Sequence, residues 1–155
     1  MKYILLILLG LIDLETSAQL SDHKGLVFTC VVSQTSTSCD VYTFDFYRDN
    51  TLAVKFGDKE WNSELYSVIR SEKEIQLNKD DVKKLKRLIS EVKRMNSLDS
   101  TCREHGGWQV DLFLEDKRWN FCTGEQNASP LGDVYQNIKR LSPIEFDLHW
   151  GGCPN

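Results

Sequence analysis

Long apolar runs are missing from this chain after its first dozen residues. A helix that crosses a bilayer needs about 20 apolar residues, so none is expected in the remainder. An excess of positive charge is missing too. Nineteen Lys and Arg face 23 Asp and Glu, for a net charge of −4, which offers no electrostatic footprint for nucleic acid. No G-x-S-x-G elbow, H-E-x-x-H pair, P-loop or glycine-rich dinucleotide fingerprint occurs, and no cofactor is implied. Repeats and a linker that would divide two domains are also absent. Histidine is scarce, at His23, His105 and His149.

Two of these histidines stand at zinc-compatible spacing from thiols, in Cys102-x-x-His105 and His149-x-x-x-Cys153. Neither pair repeats as a CxxC knuckle. A Cys–His nucleophile pair built from Cys102 or Cys122 with His105 or His149 is formally available, but no protease-like signature surrounds it. Both readings lose weight once the compartment of the chain is considered.

What is present begins with an export signal. Lys2 supplies positive charge, Tyr3 to Ile12 is an apolar run of ten residues, and Thr16-Ser17-Ala18 offers small residues for cleavage. Residues 1–18 are therefore expected to be a signal peptide and 19–155 a single domain, exported to a periplasmic or extracellular compartment. No cysteine follows the apolar run to carry a lipid. All five cysteines (Cys30, Cys39, Cys102, Cys122 and Cys153) then meet oxidising conditions, where disulfides are the default. Cys30 and Cys39 flank a polar loop and are expected to bridge. Cys102–Cys122 is the preferred second bridge, which leaves Cys153 as the odd thiol.

Hydrophobic patterning supplies the elements. Leu26 to Val32, Val41 to Tyr47 and Leu52 to Phe56 alternate as strands, Gly57-Asp58-Lys59 reads as a turn, and Trp61 to Arg70 reads as a fourth strand. Asn78 caps a helix whose stripe is Val82, Leu85, Leu88, Ile89, Val92 and Met95. Trp108 to Leu114 and Arg118 to Thr123 form a hairpin. Ser129-Pro130 opens a second helix that Pro143 ends, and Ile144 to His149 alternates as a short last strand. The order ββββ-α-ββ-α-β implies an α+β fold: an antiparallel meander plus a second hairpin, with two helices on one face.

Trp61, Trp108, Trp119 and Trp150 fall near strand ends, turns or the C-terminus. Trp108 fits the core face of its strand, and Trp119 is out of phase with Cys122. Trp61, Trp150 and the adjacent His149 are the candidate partner-binding residues, because aromatic side chains in exposed loops commonly anchor protein recognition. These features point to a small exported binding protein, with an immunity or inhibitor protein that blocks a toxin or cell-wall hydrolase as the leading form. An envelope enzyme with a Cys/His site and a carbohydrate-binding module are the alternatives.

Overall fold

The computed structural model describes residues 25–34, 40–59, 66–96, 108–123 and 129–145. Its elements follow the order read from the sequence: β1 (Leu26–Gln34), β2 (Asp40–Tyr47), β3 (Thr51–Lys59), β4 (Tyr66–Gln76), α1 (Lys79–Lys93), β5 (Trp108–Leu114), β6 (Lys117–Cys122) and α2 (Pro130–Leu141). The strands make one antiparallel sheet in the order β4-β3-β2-β1-β5-β6. The first four strands form the expected meander. Helix α1 then carries the chain back, so that β5 pairs with the free side of β1.

Successive strand residues point to opposite faces, which explains why one face is apolar throughout. Val54, Phe44, Cys30, Leu112 and Trp119 stand in register across five strands, and all are buried. Both helices lay their stripes on this face, α1 through Leu85, Leu88, Ile89 and Val92, α2 through Leu131, Val134, Tyr135 and Ile138. Side-chain caps start both helices. Asn78 Oδ1 accepts from the backbone N–H of Asp80 and Asp81 at 3.0 and 2.9 Å, and Ser129 Oγ accepts from that of Gly132 at 3.2 Å. An ion pair between Asp81 in the first turn of α1 and Arg140 in the last turn of α2 fixes the helices antiparallel. The Trp119 indole N–H donates to the Asn96 carbonyl at 3.2 Å, tying the segment after α1 to β6.

Three expectations need correction. Gly57-Asp58-Lys59 is no turn: β3 runs straight through it to Lys59. Glycine is needed there for space, because a Cβ at Gly57 would lie 2.0 Å from the backbone oxygen of Val68. The fourth strand spans Tyr66–Gln76 rather than 61–70. A bulge leaves Arg70 unopposed between the pairs Phe56/Ser71 and Gly57/Ile69. Its guanidinium then reaches Asp58 and Asp40 and lies 5.5 Å from the Phe56 ring centroid, clamping three strands together.

Cys30, finally, is a free thiol, not half of a bridge with Cys39. It shares the core face of β1 with Phe28 and Val32 and is 1% exposed. Its neighbour across the ladder is Phe44, four residues along β2 from Asp40. Four strand residues span roughly 13 Å, beyond the 7 Å or so of Cα separation that a disulfide tolerates. Cys39 itself lies outside the described residues, as does the last-strand segment from residue 146 onward. Ile144 is buried, and no strand is formed through residue 145.

Candidate functional site

The sheet has a second face, and among the described residues no helix packs on it. Its residues are those out of phase with the core. Two rows of side chains cross it in register. One runs Asp45, Thr29, Phe113 and Arg118; the next runs Glu72, Lys55, Thr43, Val31, Asp111 and Asn120. Both rows meet at the β1–β5 pairing, near the middle of the sheet.

Side chains here hold one another. Thr29 Oγ1 donates to Asp45 Oδ1 at 2.6 Å, and Lys55 Nζ lies 3.1 Å from Glu72 Oε1. Asp111 is the best-held carboxylate. Its Oδ1 accepts from Arg118 Nε and Nη2 at 3.0 and 2.8 Å, while its Oδ2 accepts from Gln109 Nε2 at 3.0 Å. The Arg118 guanidinium also lies 5.6 Å from the ring centroid of Phe113, a cation–π distance. Asp111 is 6% exposed, whereas the Arg118 side chain is 55% exposed and Phe113 is 38% exposed. A buried acid thus orients an exposed arginine across an exposed ring. Such an arrangement is suited to recognition, because its rotamers are fixed before a partner arrives. Arginine and aromatic anchors dominate the energetics of many interfaces.

Burial raises the Asp45 carboxyl above its ordinary value, with Glu72 adding to the rise; the Thr29 hydroxyl and Lys55 partly offset it. The folded state therefore binds a proton at Asp45 at a higher pH than the unfolded chain does. Stability from this group rises as pH falls through that window and is diminished above it. Asp45→Asn keeps an acceptor for Thr29 and removes the half-buried charge. The urea midpoint at pH 7 is expected to rise modestly, and the gain to shrink at pH 4. An equal shift at both pH values would contradict a charge-based cause.

Two further groups have altered acidity on the core side. Burial, followed by the charges of Asp111 and Asp45, pushes the Cys30 thiol far up, so it supplies no thiolate. Tyr135 is pushed up to about 12, by burial first and then by Cys30. Its ring meets Phe121 edge-on at 6.2 Å, so it serves as packing.

The partner-binding candidates Trp61, His149 and Trp150 lie outside the described residues, as do Cys39, Cys102 and Cys153. Cys122 is disulfide-bonded, and no described residue is its partner. It sits on the second face opposite Gln109, while Trp119 is wholly buried in the core, which is the separation their phase required. Trp108 is also a core residue.

The chain matches no protein-family model and no curated protein. Thr29, Asp45, Asp111, Phe113 and Arg118 were not singled out by sequence reasoning. Their signal was their phase, since each alternates with a core residue of its strand.

Proposed function

We propose that the chain is exported, loses residues 1–18, and acts as a small binding protein in the periplasm or outside the cell. Its leading form is an immunity or inhibitor protein that neutralises a toxin or cell-wall hydrolase by covering it. The observation that carries this reading is the second sheet face, where Asp111 holds Arg118 across Phe113 in a fixed, exposed arrangement. Prepared aromatic and arginine anchors of this kind are the usual energetic centres of protein recognition.

The competing thiol-enzyme reading loses one of its two nucleophiles, because a disulfide-bonded Cys122 has no thiolate. The test is a stoichiometric mixture of the purified protein with a panel of peptidoglycan hydrolases and envelope toxins. Inhibition, with co-elution as a complex, is expected for one of them. Arg118→Ala and Phe113→Ala should each weaken that inhibition by roughly 2 kcal/mol or more of binding free energy, with the fold intact by circular dichroism. Undiminished inhibition by both variants would remove the sheet face from the reading. No inhibition and no complex across the panel would remove the reading itself.

A further inference from the structure

Charge is divided unevenly between the layers of this fold. Helix α1 with its C-cap Arg94, together with α2, carries nine of the 19 Lys and Arg but only four of the 23 Asp and Glu. The helical layer is therefore cationic in a chain whose net charge is −4. Within α1 the cations lie on its outer side. Leu85, Leu88, Ile89 and Val92 face the sheet, and Lys79, Lys83, Arg87 and Arg94 are exposed opposite them. Lys86 and Lys93 point to the flanks, where they bond Asn50 and Glu115 at 3.1 and 2.7 Å. Arg87 has a loose contact with Glu91 at 3.8 Å, and Lys79, Lys83, Lys84 and Arg94 form no ion pair among the described residues.

A merely solvated helix does not need this pattern. Lys79, Lys83 and Arg87 are spaced four residues apart, where like charges repel. Lys79 also stands in the first turn of α1, where the helix dipole disfavours a cation and where Asp80 and Asp81 are its neighbours. Mixed charges at the same positions would serve solubility with less repulsion.

We infer that the outer ridge of α1 is a docking surface for an acidic protein partner, separate from the open face of the sheet. The ridge is about 22 Å long at 1.5 Å per residue, the size of one helix or groove on a folded partner. An anionic membrane is the poorer occupant. Among the described residues the exposed large apolar side chains, Leu26, Val68, Ile69 and Phe113, all belong to strands, so the ridge itself offers nothing to insert among lipids. Duplex DNA, stiff and uniformly charged, would extend past the ridge and also meet the acidic remainder of the chain. A protein surface can present carboxylates to the ridge alone.

Poly-L-glutamate is the probe, measured by fluorescence titration of the purified protein at low and at physiological salt. Binding is expected despite the net negative charge, weakening as salt rises. The triple variant Lys83→Glu/Arg87→Glu/Arg94→Glu should weaken it roughly tenfold or more, while Lys117→Glu at the start of β6 leaves it unchanged. If the triple variant does not fold, the Gln version at the same three positions gives the same comparison. Three results would overturn the inference: no binding of polyglutamate at low salt, equal weakening by Lys117→Glu, or tighter binding of phosphatidylglycerol vesicles or duplex DNA. None of these outcomes touches the sheet-face reading, which is probed by Phe113 and Arg118.

Discussion

Trp119→Ala is expected to destabilise the protein by about 3–5 kcal/mol, the range for emptying a large aromatic site in a packed core. Trp119 has no exposed surface and ends the buried row Val54, Phe44, Cys30, Leu112 and Trp119. Its removal leaves a cavity between β6 and the helices, and it also leaves the Asn96 carbonyl without the indole donor. Since a domain of this size is stable by about 5–15 kcal/mol, the variant should lose roughly a fifth or more of its margin. Urea unfolding followed by circular dichroism measures the change. Trp119→Phe separates the two contributions, because it refills most of the space but makes no hydrogen bond. A loss below 1 kcal/mol for the alanine variant, on the scale of a surface change, would mean that β6 is not packed as described.

Gly57→Ala should have the second-largest effect, by a different route. The added methyl would lie 2.0 Å from the Val68 backbone oxygen and 3.0 Å from the Ile69 Cα. No rotamer can move it, so the backbone of β4 must retreat. Overpacking of this kind costs about 1–3 kcal/mol, and here the damage should be local. Hydrogen exchange is expected to accelerate at Val68 and Ile69, beyond the bulge, and to remain slow from Glu72 to Gln76. Uniform protection along β4 would show that glycine is not required at this crossing.

Much of the fold could be read directly, because alternation is a strong signal wherever one face is buried. Phe28 to Val32, Tyr42 to Phe46 and Val110 to Leu114 all carry it. Asn78 and Ser129 announced their helices by capping chemistry. Strand β4 was misplaced for a physical reason. From Arg70 to Gln76 it is an edge strand of mainly charged and polar residues (RSEKEIQ), with Ile75 its sole apolar side chain. Gly57-Asp58 looked like a turn, since glycine serves close backbone approach and chain reversal alike. Cys30 was assigned to a bridge from compartment and proximity. Its phase with Phe28 and Val32 already placed it inside, and that was the stronger argument. The second-face cluster was hidden for another reason. Thr29 and Phe113 are 84 positions apart in sequence and become neighbours only through the β1–β5 pairing.

That pairing also bears on the timing of assembly. Among the described strands, the one made first during synthesis is β1, and it sits between β2 and β5. Its first neighbour follows directly, whereas its second is made only after β4 and α1 are complete. In the interval one flank of β1 has unbonded amides and carbonyls, and the Cys30 thiol lacks the cover of Leu112. A nascent chain thus carries an open seam and an accessible sulfur that the finished molecule conceals. Oxidation in that interval would draw Cys30 into a bond that the folded sheet, with its free buried thiol, does not contain.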